Sequence, residues 1–140
     1  MSPKDTIYEF LIQQKLAVIS SINAKDKPES ALVGIAVSAN FEIIFDTINT
    51  SRKYQNILDH PNVAVLIGWD DEVTLQYEGQ AEILGNDNEA LILKEIYFIA
   101  YPDGRGRAET WPGLVHIKIS PKWMRYSNFN EPQLITELIF

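Results

Sequence analysis

The apolar positions of this chain follow two periods, and together they predict a sheet with helices inserted between its strands. Alternating or continuous apolar segments predict strands at residues 16–22, 31–37, 41–45, 63–69, 73–84, 115–119 and 123–126. Helical spacing predicts a first helix from a capping box at Thr6–Glu9 to about Gln14, a second opening at Ser51, and a third after Asn86. Six or more mostly sequential strands with helices between them indicate an antiparallel barrel with peripheral helices.

Other segments lack such a pattern. Residues 46–50 form a predicted polar turn, and 102–107 form a predicted flexible, basic loop that contains Arg105 and Arg107. Ser120-Pro121 separates the last two predicted strands, and the tail from Asn130 to Phe140 has only a weak pattern. With 140 residues and no repeat or linker, the chain is expected to be a single domain over residues 1–140.

Composition narrows the class of ligand and the compartment. The chain has 19 acidic and 12 basic residues, a formal net charge of −7, which argues against general nucleic-acid binding and favours a small ligand held by local positive charge. No run approaches the roughly 20 apolar residues of a membrane span. The N-terminus lacks the basic and apolar regions of a signal peptide. Because cysteine is absent as well, we expect a cytoplasmic protein without a membrane partner.

The strongest chemical signal is Ser51-Arg52-Lys53. It precedes Tyr54, Ile57 and Leu58 at helical spacing, so Ser51 is the predicted N-cap and two cations lie in the first helical turn. Cations are unfavourable there because the first turn carries the positive end of the helix dipole. Beside a hydroxyl and free backbone N–H groups, they favour a bound anion such as a phosphate. The alternative is a solvated basic pair.

The segment from Phe45 to Lys53 resembles the F-x-T-N-x-x-S-R-K signature of the pyridoxamine 5′-phosphate oxidase superfamily. The downstream order of elements is also similar: a helix, a turn at Asp59-His60-Pro61, an apolar strand ending at Trp69, and a strand carrying Glu78-Gly79. The resemblance extends over roughly residues 10 to 126. It implies a mainly β fold, the FMN-binding split β-barrel of antiparallel strands, and a homodimer with two FMN sites at the subunit interface.

The resemblance also implies which residues bind the cofactor. Arg52 and Lys53 would hold the FMN phosphate, with Ser51 beside them. Asp46 and Thr47 stand where the family lines the cofactor with the end of a strand.

Further cofactor contacts are implied on other segments. The strand along the isoalloxazine ring would contain Ala31, Leu32, Val33 and Gly34, although an ordinary core strand would look the same. Thr74 lies near a glutamine of the true oxidases, with Gln76 one step along, and the alternative for both is the polar outer face of a barrel strand. Trp111 would cover a flavin from the partner subunit or serve as a packing residue.

The chain departs from the true oxidases at three positions. Ala31 and Ala36 stand where an arginine and a lysine are expected, and Tyr101 replaces the arginine of the substrate-phosphate motif. Arg105 and Arg107 would then serve a different anion, or lie in a solvated loop. Vitamin B6 oxidation is therefore not expected, and the chain looks more like the small general-stress-type members.

The expected activity is an FMN-dependent oxidoreduction of an unknown small molecule, with the chemistry supplied by the flavin. No residue stands out as a general acid or base, so no catalytic residue is assigned. Neither His60 nor His116 has a second ligand at metal-binding spacing, so no metal site is expected. The alternatives are a flavin-binding or sensing module without turnover, and a deazaflavin- or haem-using member of the same fold.

Overall fold

A computed structural model describes all 140 residues and contains four helices and eight strands. The helices are α1 (Pro3–Leu11), α2 (Arg52–Asp59), α3 (Asn88–Ala100) and α4 (Asp103–Thr110). The strands are β1 (Leu16–Ile22), β2 (Pro28–Gly34), β3 (Ala36–Val37), β4 (Ile43–Ile48), β5 (Asn62–Ile67), β6 (Val73–Ile83), β7 (Leu114–Asn128) and β8 (Leu134–Ile139).

All eight strands belong to one antiparallel sheet in the order β2-β1-β5-β6-β7-β4-β3, with β8 added beside β7. The 15-residue β7 serves two partners on one edge, because residues 114–119 pair with β4 and residues 123–128 pair with β8. Its other edge pairs with β6 along almost its whole length. The sheet curls into a half-barrel with peripheral helices, which confirms the predicted split-barrel fold.

The barrel is left open between β2 and β4. The chain turns from β2 into β3 through Ile35, and β3 pairs only with Ile43 and Ile44 of β4. Cα atoms of β2 and β4 approach within 8 Å, yet the two strands form no ladder with each other. We call this gap the seam. Backbone groups on both of its sides therefore remain available for other partners.

The core explains why β4 is continuously apolar at its start. Ile43 and Phe45 point into a cluster of 20 buried residues inside the barrel, whereas Ile44 points outward into a smaller cluster with Leu93 and Tyr97 of α3. Both faces of β4 are thus covered, and a strand covered on both faces needs apolar residues at successive positions.

The first helix and strand β4 correct two of the sequence-based predictions. The capping box lies at Ser2 and Asp5 rather than at Thr6–Glu9, because Pro3 fits the first helical position and extends the helix backwards. Residues 46–48 continue β4 instead of forming a turn, since they pair with residues 114–116 of β7.

Three C-terminal predictions also need correction. The predicted loop at 102–107 is helix α4, two predicted strands are the single strand β7, and the tail contributes strand β8. Pro121 fits into β7 because the β6–β7 register shifts between Glu78 and Gly79, opposite the proline.

Tyr77 gives a test of the core. Its side chain is buried, and its hydroxyl lies 2.7 Å from the Phe41 carbonyl oxygen and 3.1 Å from that of Ile119. We expect Tyr77→Phe to lower the free energy of unfolding by about 1–3 kcal/mol, because buried carbonyl groups lose their donor. Urea denaturation measures the change. Tyr126→Phe is the matched control, since the hydroxyl of the buried Tyr126 makes no hydrogen bond to another residue. Equal losses in both variants would contradict this role of Tyr77.

Candidate functional site

The N-terminus of α2 lies at one end of the seam, where Ser51 is its N-cap as predicted. The Ser51 hydroxyl oxygen accepts hydrogen bonds from the Tyr54 N–H at 3.3 Å and from the Thr47 hydroxyl at 3.0 Å. Its own hydroxyl hydrogen remains free to donate. The other N–H groups of the first turn have no acceptor within the helix. The C-terminal end of β4 and the N-terminus of α2 therefore present several hydrogen-bond donors to one small volume.

Lys53 provides a cation without a partner beside these donors. Its side chain is half-buried, and no carboxylate or hydrogen-bond acceptor lies within bonding distance of its ammonium group. The other partly buried basic side chains each have an acceptor: Arg107 contacts Asp46, Lys118 contacts Glu42 and Glu82, and Lys94 contacts Asn86. Burial, followed by repulsion from Arg52, lowers the pKa of Lys53. An anion bound here would relieve both effects.

Glu29 is part of this site, although the sequence analysis did not single it out. It lies on β2 and contacts Arg52 on α2, with 3.1 Å between the Glu29 Oε2 and Arg52 Nη1 atoms. Glu29 Oε1 accepts a hydrogen bond from Asn56 Nδ2 at 2.9 Å, and Oε2 accepts one from Asn23 Nδ2 at 3.1 Å. These amide hydrogen bonds are the main reason that the pKa of Glu29 lies below its usual value. Only the pairing of the hairpin brings Glu29 to α2, so no local sequence signal could have revealed it.

A cavity of 80 Å³ lies between β1, β2 and α2. Its lining contains both cations and the carboxylate together with small and hydroxyl-bearing side chains: Ile19, Ser21, Glu29, Ser30, Ala31, Arg52 and Lys53. Of the predicted site residues, the structure thus brings Ala31, Arg52 and Lys53 to one cavity, with Ser51 and Thr47 beside them.

The open edge of β2 runs away from this cavity. The Ile35 N–H donates to the Lys15 carbonyl and the Asn23 N–H donates to that of Lys27, which fixes the alternation of hydrogen-bonded pairs between β1 and β2. By that alternation, Ala31 and Val33 direct their backbone groups toward β1, whereas Leu32 and Gly34 direct theirs toward the seam. A flat polar ligand lying in the seam could therefore bond to the backbone of these two residues.

Gly34 also has a side-chain neighbour that the sequence did not reveal. A Cβ atom at Gly34 would lie 3.0 Å from the Tyr101 hydroxyl oxygen and 3.1 Å from its ring, so the tyrosine packs directly on the glycine. The Tyr101 hydroxyl donates to the Lys15 carbonyl. Tyr101 thus covers the sheet face at Gly34, at the end of β2 opposite the cavity at Lys53.

Asp46 is held on the opposite face of β4 from Thr47. Its Oδ2 atom accepts a hydrogen bond from Arg107 Nε of α4 at 3.1 Å and lies 3.1 Å from Arg107 Nη2, which donates to the Tyr97 hydroxyl at 3.2 Å. His116 lies across from Asp46 on β7, buried between Tyr97 and Phe98. The structure therefore separates Asp46 from the cavity at Lys53, and Arg107 is an ion-pair partner rather than part of a solvated loop.

The remaining predicted residues lie elsewhere. Thr74 stands at the start of β6, where its hydroxyl approaches the Ile67 carbonyl at 3.4 Å, and Trp111 caps the end of α4 with 54% of its surface exposed. A larger cavity, of 510 Å³, is near Thr74 at the Leu16 end of β1, whereas Arg52 and Lys53 lie toward the Ile22 end. The lining of this larger cavity contains one cation, Lys15, and two carboxylates, Asp70 and Asp71.

Comparison with known proteins identifies the family. The family described as pyridoxamine 5'-phosphate oxidase matches residues 3–128. The chain belongs to this family. No curated protein matches the sequence closely enough to indicate a specific relative.

Solved structures show the same fold at low identity. General Stress Protein 26 from Bacillus anthracis is 28% identical, with a TM-score of 0.72 over 99% of this chain and 100% of that one. A heme binding protein from Mycobacterium smegmatis is 9% identical with a TM-score of 0.80, over 93% of this chain and 55% of that protein. A pyridoxamine 5'-phosphate oxidase-related, FMN binding protein from Nostoc punctiforme is 10% identical with a TM-score of 0.70, over 100% of this chain and 98% of that one. The family fold thus occurs in proteins named for different cofactors.

The helices are all too short or too polar to cross a membrane.

The lining of the cavity at Lys53 bears on the choice between flavin and haem. It contains no histidine, methionine or cysteine, the residues that most often ligate haem iron. His60 ends α2 in an exposed position, and Met124 is buried in the core.

His116 gives a prediction for stability against pH. Burial lowers its pKa, with smaller contributions from Lys94 and Arg107, while Asp46 opposes the shift. The unfolded chain therefore takes up a proton near pH 6.5 that the folded chain resists, so this residue lowers stability as pH falls from 7 to 5. We expect urea denaturation to show that His116→Gln loses this part of the pH dependence of the free energy of unfolding, whereas His60→Gln keeps it. A slope unchanged by His116→Gln would contradict the assignment.

Proposed function

We propose that this chain is a flavoprotein that binds FMN in the seam and catalyses an oxidoreduction of a small molecule. The observation that carries the proposal is the half-buried, unpaired Lys53 beside the free Ser51 hydroxyl and the N–H groups of the first turn of α2. A phosphate satisfies all three kinds of donor at once. The family membership supports a flavin as the bearer of that phosphate.

The rest of the flavin would lie along β2. Leu32 and Gly34 offer backbone donors and acceptors to the polar edge of an isoalloxazine ring, in the direction that leads away from Lys53. Tyr101 sets the far limit of this edge, because it occupies the space above Gly34. Ala31 and Val33 contribute small or buried side chains beside it. The roles of Asp46, Thr74 and Trp111 toward the cofactor remain predictions.

When bound, the flavin supplies hydride or electron transfer, and the protein supplies position and electrostatics. Lys53 and Arg52 provide positive charge at the phosphate end, and Ser51 provides a directional hydrogen bond. The seam residues Leu32 and Gly34 orient the ring through their backbone. No side chain along this path acts as an evident proton donor or acceptor, so the chemistry rests on the cofactor.

A phosphate at this site predicts unequal effects of the two cations. Arg52 is already neutralised in part by Glu29, whereas Lys53 has no such partner. We expect Lys53→Ala to weaken FMN binding by about 1.5–3 kcal/mol, the range for charge-assisted hydrogen bonds, and Arg52→Ala to weaken it less. Isothermal titration calorimetry measures both.

The control ligand is riboflavin, which has no phosphate and should be almost indifferent to either change. The control variant is Lys25→Ala, an exposed lysine in the β1–β2 turn. Equal losses for FMN and riboflavin would contradict a phosphate at Lys53.

We also propose that the protein is cytoplasmic. We further propose that it forms a homodimer with the seam near the subunit interface. The support is an apolar row on the outer face of the sheet, formed by neighbouring residues of three strands: Leu32, Val18 and Leu66. Leu32 is 61% exposed and Leu66 44%. Such a row next to a ligand groove is typical of a surface that a second subunit covers.

The dimer has a direct test. We expect Leu66→Glu to convert a dimer into a monomer at micromolar concentration, because it places a charge in the buried centre of the interface. Light scattering measures the mass. Ile139→Glu, at an exposed position on β8, is the matched control and should stay dimeric. A wild-type protein that is monomeric while binding FMN stoichiometrically would contradict this assembly.

A haem-binding function is the main rival, since proteins of the same fold carry that name. The ligand chemistry of the cavity at Lys53 favours an anionic group rather than iron. An absorption spectrum of the purified protein separates the two, because flavin and haem have different bands. A non-catalytic flavin-binding module would instead bind FMN and show no turnover with any electron donor.

A further inference from the structure

Glu29 is an unexpected group in a site for a doubly charged phosphate. It lines the same cavity as Lys53 and contacts Arg52 at 3.1 Å. An ionised carboxylate repels an incoming phosphate over a distance of a few ångströms. The charges around the cavity sum to one net positive charge: two cations, Arg52 and Lys53, and one anion.

The carboxylate is fixed in place by neutral groups rather than by Arg52 alone. Asn56 donates to Glu29 at 2.9 Å and to the Ser21 hydroxyl at 3.1 Å, and the asparagine is buried. Asn23 donates to Glu29 at 3.1 Å, and its own side-chain oxygen accepts the backbone N–H groups of Lys25 and Lys27. Movement of Glu29 would take one acceptor away from the amide of Asn56, which is costly for a buried group. The Glu29 carboxylate therefore remains at the cavity when an anion binds.

The other elements around Glu29 add little charge. β1 contributes Ser21, and the turn between β1 and β2 contributes Asn23. The side chains of Lys25, Asp26 and Lys27 in that turn are exposed to solvent. The charge balance of the cavity is therefore set by Glu29, Arg52 and Lys53.

We propose that Glu29 makes this site selective for a singly charged phosphate group, either a phosphodiester or a phosphomonoester that has taken up a proton. The proposal rests on the proposed phosphate site at Lys53. A single negative charge matches the net charge of the cavity, whereas a second one lies against the fixed carboxylate. Since a phosphomonoester has its second pKa near 6, and a tenfold preference for the singly charged form raises that pKa by about one unit in the complex, FMN binds with partial uptake of a proton at neutral pH.

The experiment compares three ligands by fluorescence titration between pH 5.5 and 8: FMN, its 5′-phosphate monomethyl ester, and riboflavin. The ester carries one charge throughout this range, so its pH dependence reports the protein groups, and the ratio of FMN to ester affinity isolates the second phosphate charge. We expect the wild-type protein to bind the ester about tenfold more tightly than FMN at pH 8, and the two almost equally at pH 5.5.

Glu29→Gln should remove this preference and raise FMN affinity at pH 8 by about tenfold, while Glu9→Gln, an exposed residue of α1, changes neither. Thermal unfolding confirms that the variant folds, and the wild-type comparison of FMN with its ester needs no variant. Tighter binding of FMN than of the ester at pH 8, or weaker FMN binding by Glu29→Gln, would overturn the role of Glu29 and leave the phosphate site intact. Equal affinity for riboflavin and both phosphates would overturn the phosphate site as well.

Discussion

β2 and β4 face each other across the seam with unpaired backbone groups, because the chain turns from β2 directly into β3. The two-residue β3 takes the pairing edge of β4 only at Ile43 and Ile44. The edge of β4 that faces away from β7 at residues 45–48, and the outer edge of β2, are consequently left without a strand partner. Free strand edges must be covered, hydrated or bonded to a ligand. The position of α2 at the end of the seam adds helix donors to the same opening.

The charged residues near β4 form two separate groups, one on the outer face of β4 and one beside the seam. On the outer side, Asp46, Arg107 and Tyr97 satisfy one another and fasten α4 and α3 to the sheet. On the seam side, Glu29 compensates only one of two adjacent cations. In a chain with a net charge of −7, the remaining positive charge at Lys53 is local and directional. This asymmetry separates a structural ion pair from a site that attracts an anion.

The sequence was sufficient to predict the barrel, the N-cap at Ser51 and the bounds of β1, because each depends on local periodicity or capping. It failed at α4, where Gly104 and Gly106 weaken helix propensity, and where the close approach of Gly104 to Tyr97 and the Arg107–Asp46 ion pair stabilise the helix from outside. It also failed to join the two halves of β7, since Pro121 reads as an interruption unless the bulge opposite it is known.

The residues of the candidate site also differ in whether the sequence alone reveals them. Ser51, Arg52 and Lys53 were visible because three neighbouring residues carry the signal. Glu29 comes within 3.1 Å of Arg52 from 23 positions away in the sequence. Likewise, the packing of Tyr101 on Gly34 depends on how α3, which Tyr101 ends, lies against β3 and β4. Contacts of this kind follow from tertiary packing, which no single-sequence pattern encodes.

We propose that the flavin lies in the seam with its phosphate at α2. The most direct measurement is amide NMR of the isotope-labelled protein during titration with FMN. We expect the largest shifts at Arg52, Lys53, Leu32 and Gly34, and small shifts around Trp69, which lines the 510 Å³ cavity. Shifts confined to Trp69 and its neighbours, with the amides of Arg52 and Lys53 unmoved, would contradict this placement of the flavin.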